Sequence, residues 1–422
     1  PGTGHRTRTK PRENITGISF ADYGIFMIDA KIIKKLQANL LKYSNMHYLV
    51  ETLTPLNIWA RQKKEKKLIL VISKMDNVLF SKEEFDNAVK FVEKISEINF
   101  HKVLPVSIDV NNEIDNNVTN KSEKLPWYRG PTLIETLIDV NSSVNKIQID
   151  NKPAFISIYK QHEIKGIGKV WRGKVLQGTL KKGSEIRISP IRYSNSQLVD
   201  AYAKIAEIYD VDRKGIESAK PGDIVSFNIK DLFIFGTRVN KRELSYVEST
   251  CFFDAKVNVR SGNMLQFKVE TSDKNTNLSI GRQVILIWFG KAVPCRILYE
   301  DIKRDSTFVL TTMNNLTVSL PLNQKGTFIY ENFLLELDKD TYLETNLKQI
   351  GNSDDAIISI EFMYKDGFKE MSSHFEKFKP TIGGSKLFFK ENDIVSLFDK
   401  INELIEEKYD SEDFIIDIDL RN

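Results

Sequence analysis

Lys74 and Asp76 stand just beyond an apolar run in the string KLILVISKMDNV, residues 67–78, and Ser107 and Ile108 close a second apolar run, LPVSI, further along. An Asp placed directly after a strand can accept two hydrogen bonds from guanine, through the ring N–H and the exocyclic amine, whereas adenine offers no matching pair of donors. Asp76 is the candidate for that role. A charge-assisted bond of this type is worth about 1.5–3 kcal/mol, enough to set a base preference. Lys74 carries an aliphatic stem that can lie along the ring face, with Ser73 before it in the same box. Ser107, followed by Ile108, can present backbone N–H to the guanine carbonyl. An ordinary solvated loop at the carboxyl edge of a sheet is the alternative that these residues leave open.

Such an edge needs a parallel sheet, and residues 20–140 have its texture: apolar strand-like runs alternating with helical patterns. The runs YGIFMID (23–29), LILVIS (68–73) and VLPVSI (103–108) are the expected strands. Between the second and third, Ser81 and Glu84 make a capping box, and Phe85, Ala88, Val89, Val92 and Ile95 repeat at helical spacing. TNKSEKLPWYRGP (119–131) is polar and turn-rich, and TLIETLIDV after it reads as a further helix.

From about residue 150 the pattern changes to short alternating strands punctuated by glycine, which predicts a small antiparallel barrel over 150–245 and a second over 247–350. HEIKGIGKVW reads as a turn of the first barrel. Residues 352–422 predict a C-terminal α/β extension ending in a helix and an acidic tail. In that helix Ile394, Leu397, Phe398, Ile401 and Leu404 form one stripe, read as core packing. The fold class is therefore α/β plus all-β: a sheet domain over 1–145, two antiparallel β-barrels, and the extension. Asn-rich pieces such as VNNEIDNNVTNK read as loop.

The 422 residues are 41% hydrophobic and 28% charged, too many for one compact core. No apolar run approaches the length of a membrane span and the first residues lack the apolar stretch of a signal peptide, so a cytoplasmic protein with no membrane partner is expected. Cys251 and Cys295 are far apart and the five His are scattered, which points away from a disulfide framework or a metal cluster, and no metal-binding residue is assigned. The net charge of +4 is uneven. Arg6, Arg8, Lys10 and Arg12, and RQKKEKK at 61–67, are basic runs that could meet RNA phosphates or serve as solvated faces.

ITGISFADYGIFMIDA, LILVISKMD, LPWYRGPTLIETL, GIGKVWRGKVLQGTLKKG and KPGDIVSFNIK occur in the order of their counterparts in translational GTPases of the elongation factor 1-alpha class, over roughly residues 14–230. The chain resembles that family. The resemblance implies a P-loop GTPase-type domain, here partial, followed by two barrels; GTP with Mg2+ as cofactor; a GTP-dependent switch; and guanine nucleotide, tRNA and ribosome as partners, with no DNA. The family's phosphate loop, Gly-x-x-x-x-Gly-Lys-Ser/Thr, is not among these 422 residues. PGTGH at the start is similar to the tail of the family's Asp-x-Pro-Gly-His box. By that likeness Gly2 would meet the terminal phosphate, and His5, after two inserted residues, would be the catalytic group that positions water. Ser73 replaces the usual Asn. The resemblance makes the chain a GTPase, while the string that hydrolysis needs is missing from it. Pro1 in place of Met leads to the expectation of N-terminal truncation, with degeneracy as the alternative. LPLNQKGTFIYENFLLELDKDTY is also similar to the GTPase subunit of sulfate adenylyltransferase, and a non-hydrolysing ribosome- or partner-binding protein is the third reading.

Overall fold

The computed structural model describes residues 21–38, 56, 67–96, 98–109, 114–144, 152–164, 168–194, 197–269, 278–301, 307–338, 341–362, 372–383, 386–389, 394–407 and 414–420. Gly2, His5 and the basic runs at 6–12 and 61–66 lie outside them. The chain divides into two compact units, Pro1–Gln148 with Asp338–Tyr342, and Ile149–Leu337 with Leu343–Asn422.

In the first unit, β1 (Tyr23–Asp29), β2 (Lys67–Ser73) and β3 (Lys102–Pro105) form a parallel sheet in the order β1-β2-β3. The central position of β2 explains its unbroken apolar run. Both of its faces are covered, so Leu68 through Ile72 are all buried where a half-exposed strand would alternate. Leu68, Leu70 and Ile72 share a core with Ile33 and Leu36 of the helix Ala30–Gln37 and with Phe85 and Val92 of the helix Lys82–Ser96. Ile69 and Val71 belong to the opposite core, with Leu133 and Val140 of the helix Leu133–Val144. The predicted cap is present: the Glu84 N–H donates to Ser81 Oγ at 3.3 Å. The helix Leu133–Val144 starts on a reciprocal box, in which Glu135 N–H donates to Thr132 Oγ1 (3.2 Å) and Thr132 N–H to Glu135 Oε2 (2.8 Å).

The run VLPVSI, expected as one strand, is two elements. β3 stops at Pro105, and the chain re-forms as β4 (Ser107–Asp109), antiparallel to β5 (Ile114–Asn116). At the break, Val106 N–H still donates to the Ile72 carbonyl (2.9 Å), but the Val106 carbonyl accepts from Met75 N–H, beyond the end of β2 (3.3 Å). The β2 ladder has run out, so the next residues take a new partner.

The second unit opens with a six-stranded antiparallel barrel of Phe155–Ile164, Gly168–Gln177, Ile224–Ile234, Gln197–Tyr209, Glu185–Tyr193 and Cys251–Asp254, the last pairing back onto the first. The sequence places Cys251–Asp254 beyond the boundary at 245–247. Here it closes the first barrel, because its two edges bond Phe155–Ile164 and Glu185–Tyr193 while Phe252 enters the core. HEIKGIGKVW spans the hairpin between Phe155–Ile164 and Gly168–Gln177, with Ile164 paired to Gly168. Met264–Val269, Thr307–Thr312, Lys291–Asp301, Gln283–Trp288, Asn332–Asp338 and Thr341–Gly351 form a second closed barrel. Trp288 and Phe333 stack at its centre with ring centroids 4.4 Å apart.

The C-terminal extension is a four-stranded sheet, Thr381–Gly383, Lys386–Phe389, Ala356–Phe362 and Phe414–Leu420 in that order, with the helix Ile394–Glu407 packed on it. All five stripe residues, Ile394, Leu397, Phe398, Ile401 and Leu404, are buried in that core. Of the expected acidic tail the described part is Phe414–Leu420, which is a strand. Ile416, Ile418 and Leu420 point inward while Asp417 and Asp419 alternate outward, so the acidic composition marks only one face. Among the described residues no helix is long and apolar enough to cross a membrane.

Glu336, on the strand Asn332–Asp338, is 6% exposed and its Oε2 has no hydrogen-bond partner. Burial pushes its carboxyl up to about 7. The folded state thus holds a proton that the unfolded state releases between its ordinary value and about 7, and stability falls as pH rises through that window. Glu336→Gln is expected to raise stability at pH 8 by roughly 1–3 kcal/mol and to leave it nearly unchanged at pH 4. Denaturant midpoints at the two pH values check this; an equal effect at both would contradict it.

Candidate functional site

The carboxyl ends of the parallel strands are where open α/β sheets bind ligands, and the register brings the last residues of β1 and β2, Asp29 and Ser73, side by side. Ser73 Oγ donates to the Ile28 carbonyl at 3.1 Å, tying the two strand ends together. Lys74 then adopts the left-handed conformation (φ 55°, ψ 48°), and Met75–Val78 form one 3-10 turn. Met75 is fully buried and anchors the turn, leaving Asp76 at the surface.

Lys74, Leu79 and Phe80 all have positive φ, a conformation costing about 1–2 kcal/mol at each side chain of this kind. The surroundings hold the loop there. Leu79 N–H donates to the Asp76 carbonyl (3.0 Å) and Phe80 N–H to that of Met75 (2.9 Å). From the string LPWYRGP, Trp127 Nε1 donates to the Phe80 carbonyl at 2.9 Å, with its ring 5.2 Å from that of Phe85.

Ser107 is 2% exposed, and its hydroxyl donates to Asp76 Oδ1. The break after Pro105 makes this contact, since it carries Ser107 out of line with β3 and under the turn. One carboxylate oxygen of Asp76 is thereby held in place, and the group keeps accepting capacity on both oxygens for two outside donors. Ile108, next to Ser107, is 61% exposed. The Lys74 ammonium lies 3.1 Å from Asp29 Oδ2, while Asp29 Oδ1 accepts from Lys31 N–H at 2.8 Å and caps the helix Ala30–Gln37.

Ser73, Lys74, Asp76, Ser107 and Ile108 thus gather at one edge. Asp29 and Trp127 are additions that the sequence did not single out. The Asp-Ala step ending YGIFMIDA is an N-cap signal that points to Asp29; Trp127 has no local signal. The arrangement fits the hydrogen-bonding edge of a guanine. Among the described residues no group of three His, Cys, Asp or Glu side chains is placed to hold a metal ion.

No protein-family model matches the chain. It is similar to elongation factor 1-alpha of Pyrococcus furiosus, 30% identical over 227 residues covering 54% of this chain and 47% of the relative. The same protein of Archaeoglobus fulgidus is 30% identical over 228 residues, with the same coverage of 54% and 47%. The chain therefore spans about half the length of the curated relatives it matches. In three dimensions it is similar to the GTP-bound Ski7 GTPase-like domain of S. cerevisiae, with a TM-score of 0.60 and 14% identity over 80% of this chain and 76% of that one. It also resembles the translation elongation factor SelB of Methanococcus maripaludis, with a TM-score of 0.51 and 15% identity over 84% and 73%. In sequence, over about half its length, the chain is thus similar to elongation factor 1-alpha, and its fold, a parallel-sheet unit followed in the chain by two antiparallel barrels, is that of translational GTPases such as these.

Proposed function

We propose that the chain is a cytoplasmic, translation-elongation-factor-like GTP-binding protein that reads guanine and acts as a GTP-dependent switch. The observation that carries this reading is the clamp of Ser107 on Asp76 beyond the central strand, because an aligned carboxylate reads the paired donors of guanine. Ser107 Oγ fixes the Asp76 rotamer, Lys74 covers one face of the ring, and the backbone at Ser107 and Ile108 meets the guanine carbonyl. On this reading GTP, with Mg2+, is the ligand that sets the switch, and the barrels serve as partner-binding modules toward tRNA and the ribosome. Elongation factor 1-alpha among its relatives, and the guanine nucleotides bound to the Ski7 and SelB structures, support this reading.

Comparing GTP with inosine triphosphate tests it on the chain as it stands. Inosine lacks the exocyclic amine, so one of the two bonds to Asp76 is lost while the phosphates are unchanged. A charge-assisted bond of about 1.5–3 kcal/mol corresponds to roughly 10- to 150-fold weaker binding of the inosine nucleotide. Equal affinity for GTP, inosine triphosphate and ATP would overturn the proposal.

A further inference from the structure

Cys251 opens the strand that closes the first barrel, and Lys291 opens the strand Lys291–Asp301 of the second. Both are buried, Cys251 fully and Lys291 with 3% exposure. Lys291 Nζ donates to the Thr250 carbonyl at 2.7 Å and to Cys251 Sγ at 3.2 Å. A carbonyl and a sulfur are unusual company for a buried ammonium, which ordinarily requires a full negative charge beside it. Burial pulls Lys291 below its ordinary range, against the opposing pull of Cys251, and burial pushes the Cys251 thiol up. The nitrogen and the sulfur are in direct contact away from water, and in its neutral form the amine nitrogen has a lone pair with which to form a bond.

We propose that Cys251 and Lys291 are a modification site, at which dioxygen converts the thiol and amine into a sulfur–oxygen–nitrogen bridge joining the two barrels covalently. The S–H bond, one N–H bond and the O=O bond break. S–O and N–O bonds form, and the second oxygen leaves as water with the two hydrogens. Sulfur and nitrogen each lose two electrons, and dioxygen takes up the four. A buried thiol is ordinarily inert because large reagents do not reach it. Dioxygen is small, and the two reacting atoms are already in contact, which removes the entropic cost of bringing them together. The inference is independent of guanine binding.

Intact-mass measurement of the full chain after aeration, followed by denaturation, tests it. A gain of about 14 Da is expected, one oxygen added and two hydrogens lost, and dithiothreitol should remove it. Trypsin should then leave the Cys251 and Lys291 peptides joined, with no cleavage after Lys291. Cys295, equally buried and donating to the Val293 carbonyl at 3.6 Å, provides the control: Cys295→Ser should keep the shift, while Cys251→Ser and Lys291→Arg should abolish it. An unchanged mass, gains of about 16 or 32 Da on Cys251 alone, or a shift that survives Cys251→Ser would overturn the proposal. The wild-type measurement decides the matter even where a variant fails to fold.

Discussion

Asp76→Asn is expected to turn the protein from GTP toward xanthosine triphosphate. The carboxylate offers only acceptors, which suits the ring N–H and amine of guanine. An amide offers one acceptor and one donor, which suits xanthine, where a carbonyl replaces the amine. The loop should survive the change, because its shape rests on main-chain bonds from Leu79 and Phe80 and on Trp127, none of which uses the Asp76 side chain. Ser107 Oγ, now donating to Asp76 Oδ1, can donate to the amide oxygen in the same way and leave Nδ2 facing outward. Loss of the paired contact should cost GTP about 2–3 kcal/mol, or roughly thirty- to two-hundredfold in affinity. Competition titrations with the two nucleotides, on protein and variant of equal thermal stability, measure the effect. An unchanged preference would mean that SKMD is a loop with a coincidental likeness to a base-reading box.

Phe252→Ala should be the most destabilising single change in the first barrel. The ring is fully buried, 5.1 Å from Trp171 and 5.2 Å from Phe227. Its strand is the one that closes the barrel, pairing Phe252 with Ile156 on one side and Ile188 on the other. Removing a buried aromatic ring leaves a cavity that a closed barrel relaxes into poorly, at a cost of about 3–5 kcal/mol. That is a large part of the 5–15 kcal/mol by which domains are ordinarily stable. Hydrogen exchange is the suitable readout, since it reports each barrel separately. Protection should fall in Phe155–Ile164 and Glu185–Tyr193 and persist in the helix Ile394–Glu407. A loss below about 1 kcal/mol would show that the strand is not integral to this core.

Local pattern determined much of this protein. An uninterrupted apolar run identified β2 as central, because a strand covered on both faces has no polar positions to alternate. Ser81 with Glu84 set one helix start, and the stripe from Ile394 to Leu404 named the face that packs. Asp76 and Ser107 were legible as residue types in the right places relative to strand ends. Tertiary structure decided what depends on partners distant in the chain. Cys251–Asp254 belongs to the first barrel because of the two strands it bonds, and an apolar run does not disclose which barrel will close around it. Phe414–Leu420, for all its acidic residues, is a strand because Ala356–Phe362 offers it an edge. VLPVSI breaks because β2 ends beside it, and that break carries Ser107 beneath Asp76. The positive φ angles at Lys74, Leu79 and Phe80 carry no glycine to announce them, since their cost is borne by Trp127 and by main-chain bonds that exist only once the sheet and its helices have assembled.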